Sequence, residues 1–538
     1  MPHFIDKNTS LALQTDLLME QIMPVSEPGR KCKLHEKVYI HGEEEKLVCE
    51  YDMIHLMMNF RLQEPGDFIV LQDLLKNVED IHGTIRRCES NVLALHEIFE
   101  IKHFLYYVLR IQKILISNSL KAIAECHDFQ ELFEYLDQDK QNQPHFYLSD
   151  AYSKELSSIR EKLNTLSSTE KQWFLNTRTK AARSLGMEMV GYDVVIDRAN
   201  TAQLEKIEKS PFFREGKSNF NNRVFHLKET PELTKMRSEM QKLQKKLEQV
   251  EAEVLTVISK KIGLSSKHLA NALNTLAELD LRMAKASFGL EHYCCIPKII
   301  KKKSITLRKS VNIPLKMQLS EISRDYEEMD IVLKNKLNIV IGANMAGKTS
   351  ALKSVGQAAF LASHAIPIPA ESAELPLFNF IFFSGEDSQR KQPDLSSFAR
   401  DVVAMQEALE QKGFGLFLVD EFARGTNPVE GEALCAALLS TMILKNAITF
   451  SATHFQAPAN ISEAGHFLMS GLSESDFKAL SILPVKERIQ ELNRRIKYSL
   501  LPVTKGQKVP QVAIRIAEIL GLDLEVIVQA KDNVVQFT

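Results

Sequence analysis

The stretch Leu337-Asn-Ile-Val-Ile-Gly-Ala-Asn-Met-Ala-Gly-Lys-Thr-Ser350 constrains this chain more than any other. Ile339, Val340 and Ile341 form a short β-branched run of the kind a buried strand uses. It leads directly into Gly342-x-x-x-x-Gly347-Lys348-Thr349, the spacing of a phosphate-binding loop. Glycines there let consecutive backbone N–H groups turn toward phosphate oxygens with no Cβ in the way. Gly342, Asn344, Met345, Gly347, Lys348, Thr349 and Ser350 are the expected nucleotide-binding positions. Lys348 can reach the β- and γ-phosphates, and the Thr349 hydroxyl can ligate Mg²⁺. The residues after Ser350 are helix-like, so the positive end of a helix dipole would face the nucleotide. A Gly-rich turn without function is the competing explanation, and the strand before and helix after weigh against it.

Downstream, Gly415-Leu-Phe-Leu-Val-Asp-Glu421 is a second apolar strand, ending in paired carboxylates. Asp420, at the end of a neighbouring parallel strand, is placed to hold Mg²⁺. Glu421 follows where a water would be polarised for attack on the γ-phosphate. A third strand, Ala447-Ile-Thr-Phe-Ser-Ala452, runs into Thr453-His454-Phe455 and brings His454 to the same edge. The expected catalytic set is therefore Lys348, Glu421 and His454, with Thr349 and Asp420 on the metal.

A chain of 538 residues implies two to four domains. No apolar run approaches the twenty or so residues of a membrane span, and the first residues lack a signal-peptide pattern. Seven cysteines without a Cys-x-x-Cys pair suggest reduced thiols in the cytoplasm. Cys294 and Cys295 read as packing residues. His35, His41, His55, His82 and His96 lack metal-ligand spacing. The formal net charge of −2 gives no global nucleic-acid signature, so any DNA contact must come from a local patch.

Residues 1–150 are helical in pattern, with candidate helices over 10–23, 67–80 and 91–117. Residues 37–51, interrupted by His41-Gly-Glu-Glu-Glu-Lys46, read as a hairpin. Tyr152, Leu156, Ile159, Leu163 and Leu166 follow a heptad rhythm that returns from Met236 through Leu243, Leu247, Val250 and Val254. These are either two amphipathic helices of a bundle or two long arms packed antiparallel. The insertion between them favours arms. That insertion, residues 186–235, opens with strand-like Met187-Glu-Met-Val-Gly-Tyr-Asp-Val-Val-Ile196. Residues 209–228 then carry Lys209, Arg214, Lys217, Arg223 and Lys228 among four phenylalanines and three asparagines. Such interleaving suits contacts with phosphates and sugars, or equally a small β-tip with a solvated face. Residues 276–287 form another helix, and the basic segment 296–309 reads as a solvated connector.

The motifs resemble those of the MutS family of DNA mismatch-repair ATPases. The Asn-Met pair inside the loop and the run Asp420-Glu-Phe-Ala-Arg-Gly-Thr426 are specific to that family. Asp394-Leu-Ser-Ser-Phe398 resembles its signature loop, which implies that Ser396 and Ser397 reach the γ-phosphate of a partner subunit; Leu395 departs from the usual polar or glycine residue. Ala277-Glu-Leu-Asp280 resembles the lever-return helix, and Asn219-Phe-Asn-Asn-Arg223 with Thr230-Pro-Glu-Leu233 the clamp boundary. The resemblance implies a multidomain chain. It comprises an all-α core (1–150), lever helices (151–185 and 236–290), a small β clamp insertion (186–235) and a connector (291–330). An α/β P-loop ATPase domain of the ABC type with a parallel-rich sheet follows (331–495), then a C-terminal dimerising helix-turn-helix (496–538). ATP and Mg²⁺ are the implied cofactors, and a homodimer or a heterodimer with a related subunit the implied assembly.

The family's mismatch-reading and connector domains would precede residue 1, and no nuclease tail follows Lys531. Direct mismatch reading is therefore expected to be absent. Two functions fit the remaining modules. One is an ATP-gated clamp on mismatched, branched or recombining DNA. The other is a chaperone, like the MutS-like subunits that reactivate cobalamin-dependent aminomutases, acting on a client enzyme. The near-neutral charge favours the second slightly and the basic, aromatic tip the first; DNA is placed first.

Overall fold

The computed structural model describes residues 4–537 apart from positions 190, 218, 343–346, 386–396, 473, 485–486, 489–490, 493–494, 496 and 504–512. The chain divides into two compact units. One takes Met1–Asn77, Ile114–Ala124 and Asn274–Thr538, the other Val78–Lys113 and Glu125–Leu273. The first 150 residues hold α1 (Lys7–Leu13), α2 (Thr15–Glu20), α3 (Glu27–Leu34), α4 (Glu44–Gln63), α5 (Pro65–Lys76), α6 (His82–Cys88), α7 (Leu95–Ser117) and α8 (Gln130–Leu136). The helix expected over 10–23 is broken at Gln14, whose φ of 56° is left-handed.

The hairpin expected over 37–51 is not formed. Gly42 instead turns the chain into α4, its N–H donating to both carboxylate oxygens of Glu44. Leu47, Tyr51, Ile54, Met57 and Met58 then recur at helical spacing and are buried, which settles the element as a helix.

In the second unit the arms are α9 (Lys154–Leu185) and α11 (Pro231–Gly263), with β1 (Asp193–Asp197), α10 (Thr201–Glu208), β2 (Phe213–Glu215) and β3 (Asn222–Leu227) between them. Ser153 caps α9, whose 32 residues span roughly 48 Å before Gly186 ends it in the left-handed region. Thr230 accepts the Leu233 N–H to cap α11, with Pro231 at the first helical position. The arms run antiparallel, joined by Arg160–Glu251 at 2.8 Å and Arg237–Glu170 at 2.7 Å. Strand-like character in 187–196 resolves as β1, paired antiparallel to the central β3, which also pairs with β2. Val194, Ile196, Phe213, Phe225 and Leu227 fill the small core against Ile207, Ala181 and Leu185. The returning arm ends at Gly263, and the further helix expected over 276–287 lies within α12 (Ser266–Glu291).

The rest of the first unit holds β4 (Lys298–Ile299), β5 (Ile305–Ser310), α13 (Ile313–Glu321), β6 (Met329–Leu333), β7 (Leu337–Ile341), α14 (Lys348–Ser363), β8 (Ser372–Leu375) and β9 (Phe380–Ser384). It continues with α15 (Ser397–Leu409), β10 (Gly415–Asp420), α16 (Pro428–Met442), β11 (Ala447–Thr453), β12 (Gly465–Gly471), α17 (Glu474–Ile482) and β13 (Lys497–Pro502). Two helices, Ala513–Ile519 and Leu524–Phe537, close the chain. The main sheet has the order β13-β12-β7-β11-β10-β9, parallel except for β13. Every residue of β7 and β11 is buried, as expected of parallel strands covered on both faces. A second sheet, β4-β8-β5-β6, takes in the segment read as a solvated connector. Ile305 and Leu307 point inward there while Arg308 and Lys309 face water.

Residues at the start of the chain belong to the same compact unit as these two sheets. Ile381 N–H donates to Phe4 O at 2.9 Å, Phe383 N–H to Thr9 Oγ1 at 3.0 Å, and Gln357 Nε2 to Leu13 O at 2.9 Å. The far end of α14 is also held. Lys285, 3% exposed on α12, pairs with buried Glu36 and donates to His364 O at 2.6 Å. Tyr39 N–H donates to Ser363 O at 2.7 Å. Burial pushes the His364 imidazole down to about 4, so it stays neutral beside that ammonium.

Candidate functional site

Strand β7 delivers the chain to Gly342 at the carboxyl edge of the sheet, and α14 leaves from Gly347. Gly347 has φ 87°, a conformation a side chain would oppose, and it lets the loop turn tightly into the helix. Asn344 and Met345 lie outside the described residues, as does Ser396. Ser397 is the first residue of α15.

Lys348 is the first residue of α14, and its ammonium is buried. It donates to Gly342 O at 2.7 Å and lies 3.2 Å from Glu421 Oε1. Beside it, Thr349 Oγ1 donates to Asp420 Oδ2 at 2.6 Å. The other Asp420 oxygen is buried without a hydrogen-bond partner among the described residues. Burial, reinforced by the Glu421 charge, raises the Asp420 carboxyl to about 6, against the opposing pull of Thr349 and Lys348. A carboxylate with one orphaned oxygen next to a hydroxyl is a donor set that suits a hard divalent cation. No cluster of three or more His, Cys, Asp or Glu exists among the described residues, so a metal here would draw its remaining ligands from phosphates and water.

Glu421 sits just past β10, tied to β11 by its N–H donating to Ala452 O at 2.9 Å. Its φ is 50° and that of Ala423 is 63°, two side-chain-bearing residues in the left-handed region within one turn. Its carboxylate meets two cationic groups, Lys348 and Arg424 Nη1 at 3.1 Å, and lies 3.8 Å from His454 Nδ1. Burial holds His454 below its ordinary range despite the Glu421 charge, and its ring packs on Phe455 with centroids 4.4 Å apart. Lys348, Thr349, Asp420, Glu421 and His454 thus converge at one sheet edge. Ser350 follows Thr349 in the first turn of α14. Arg424, which the sequence reading left unassigned, joins them through Glu421.

The tip of the insertion is a second candidate region. Arg214, Lys217 and Lys228 are exposed, and Lys209 faces Glu205 loosely at 3.8 Å. Arg223 differs from the expectation. It is bound between Glu208 and Glu215, with Glu215 Oε2 at 2.6 Å, and its charge is matched before any phosphate could meet it. Those carboxylates hold its pKa above the ordinary range, Glu215 foremost. Arg198, absent from the sequence-derived set, is exposed and reaches the same tip, its Nε donating to Asn219 O at 3.2 Å. Its place in a turn directly after a strand was the available signal. Among the described residues no helix is long and apolar enough to cross a membrane.

Residues 338–538 match the family model described as MutS domain V. An endonuclease MutS2 of Aquifex aeolicus is 29% identical over 311 residues, 56% of this chain and 37% of the relative. The DNA mismatch repair protein MutS of Thermus thermophilus is 26% identical over 305 residues, covering 56% of this chain and 34% of its own length. That of Clostridium tetani is 21% identical over 505 residues, or 89% of this chain and 53% of the relative. The matched part is thus about half or less of each relative's length.

Proposed function

We propose that this chain, whose residues 338–538 match MutS domain V, is a MutS-family ATPase whose hydrolysis cycle gates a dimeric clamp on mismatched, branched or recombining DNA without direct mismatch reading. The observation that carries the ATPase is the meeting of Lys348, Thr349, Asp420 and Glu421 across β7, α14 and β10.

In this reading the backbone N–H groups at the start of α14 face the phosphates, with the helix dipole in support. Lys348 carries the β- and γ-phosphate charge once it leaves Glu421. Thr349 and Asp420 would hold Mg²⁺, which would supply neutralisation of phosphate charge. Glu421 then orients and polarises the attacking water, restrained by Arg424. His454, exposed at the same edge with its pKa held below the ordinary range by partial desolvation, serves as a hydrogen-bonding sensor of the γ-phosphate. Ser396 and Ser397 reach the nucleotide of a partner subunit, which makes dimerisation part of the cycle. The two closing helices supply the dimer contact: Leu520, Leu522, Leu524, Val526 and Val528 are exposed on them and on the turn between.

A second reading keeps the ATPase and replaces DNA by a client enzyme, as in the aminomutase-reactivating subunits. The pairing of Arg223 with Glu208 and Glu215 favours it, because the tip offers fewer unmatched cations than its composition implies. Fluorescence anisotropy with duplex, single-stranded and four-way-junction DNA from about 50 to 200 mM salt separates the two. Four phosphate contacts from Lys209, Arg214, Lys217 and Lys228 give a log–log salt slope of about −3 to −4 on duplex DNA. No binding to any of the three DNAs at the low-salt end, with or without ATP, rejects the clamp and leaves the client enzyme.

A further inference from the structure

Four phenylalanines lie between residues 209 and 228, and the fold treats one of them differently. Phe213 and Phe225 are buried in the small core and Phe212 packs against it. Phe220 is 96% exposed, the highest value of any large hydrophobic among the described residues. The backbone that carries it is fixed on both sides. Asn219 Oδ1 accepts the Asn221 N–H at 3.1 Å and the Asn222 N–H at 2.6 Å, and Asn219 N–H donates to Asn222 O at 2.9 Å. Across the turn, Arg198 donates its own N–H to Asn221 O at 2.9 Å and its Nε to Asn219 O.

The surroundings of this ring are polar. Asn219, Asn221, Lys217 and Arg198 are all exposed, and the nearby Asp197 carboxylate accepts the Ala199 N–H. A protein or membrane surface is met by a patch of apolar groups. One aromatic ring among amides and cations instead matches a partner that offers one flat π-face at a time beside negative charge. Nucleic-acid bases meet that description only when they are out of the duplex stack.

Resting on the DNA reading above, we propose that Phe220 is a stacking platform for an unpaired base, with Arg198 and Lys217 on the flanking phosphates. The clamp tip would then prefer single-stranded or junction DNA with unpaired bases over blunt duplex. Fixing the turn beforehand reduces the ordering needed on binding.

The test uses the full-length protein with single-stranded, junction and blunt-duplex DNA. Phe220 touches no core, so its replacement leaves folding intact. Stacking releases no counterions, whereas a phosphate contact does. Phe220→Ala should therefore weaken binding to unpaired DNA by roughly 5- to 150-fold with the salt slope unchanged. Lys217→Ala should instead flatten the slope on single strands by about 0.7. The chain has a single tryptophan, so Trp173→Phe with Phe220→Trp puts the only indole at the tip. Its fluorescence should be quenched by unpaired DNA and much less by duplex. If the parent binds single strands but Phe220→Ala binds equally well and the new tryptophan is unquenched, the stacking role is overturned while the DNA reading stands. If the parent binds no DNA at all, both fall together.

Discussion

Replacing Glu421 with alanine should tighten ATP binding while slowing its hydrolysis, and the structure indicates by how much. Lys348 Nζ and Glu421 Oε1 are 3.2 Å apart, with side chains only 5% and 13% exposed. A phosphate arriving at Lys348 must displace this carboxylate. At an effective dielectric near 20, the bare Coulomb attraction at that distance is about 5 kcal/mol. Glu421 retains Arg424 and His454 after release, so the net loss is closer to that of one hydrogen bond between charged groups, about 1.5–3 kcal/mol. Removing the carboxylate eliminates that competition and tightens nucleotide binding by roughly 10- to 150-fold. Loss of a negative charge beside the γ-phosphate acts in the same direction. Affinity is measured by titration calorimetry with a non-hydrolysable ATP analogue, so that slow turnover cannot be mistaken for tight binding. Turnover is followed separately by phosphate release. An analogue affinity equal to or weaker than the parent's refutes the restraint on Lys348. Hydrolysis at the parent's rate refutes the role of Glu421 on the attacking water.

Lys285→Met leaves buried Glu36 without its partner and should lower stability by about 3–5 kcal/mol; adding Glu36→Leu should recover most of the loss, read by urea unfolding without nucleotide. Asp420→Asn should abolish Mg²⁺-dependent ATP binding yet stabilise the nucleotide-free protein as pH rises. The folded-state pKa of about 6 lies above the ordinary 3.8, so the aspartate's contribution is fully present below pH 3.8 and lost as pH climbs through 6; the difference reaches roughly 3 kcal/mol by pH 8. Equal melting differences between variant and parent at pH 5 and pH 8 would contradict this. Arg223→Ala should loosen the tip by stranding Glu208 and Glu215, seen as faster amide exchange in β2 and β3, while leaving the DNA salt slope near the parent's.

The sheet edge that gathers Lys348, Thr349, Asp420 and Glu421 was legible in the sequence because its physics is local. Strands β7, β10 and β11 are buried on both faces, so each reads as an unbroken apolar run. The glycine spacing follows from the turn between strand and helix, and a carboxylate closing a parallel strand reaches the same edge as Lys348. The arms α9 and α11 were legible for a similar reason, since a helix facing one partner repeats its contacts every three or four residues.

Other features were decided by contacts distant in sequence. The alternation in Ile305-Thr-Leu-Arg was present, but the surrounding lysines suggested a solvated connector until β6 and β8 paired with it. The first helices join the unit of the main sheet through Phe4, Thr9 and Leu13, whose partners lie more than 340 positions away. Arg223 counts as a free cation in any tally of residues 209–228. It is matched only because α10 and β2 bring Glu208 and Glu215 to it. Phe220 has the same composition value as Phe225, yet one fills the core and the other stands in water. Sequence gives the number of charges and rings in a segment; which are neutralised or buried depends on neighbours that only the folded chain supplies, because electrostatic and hydrophobic energies are set by distance in space.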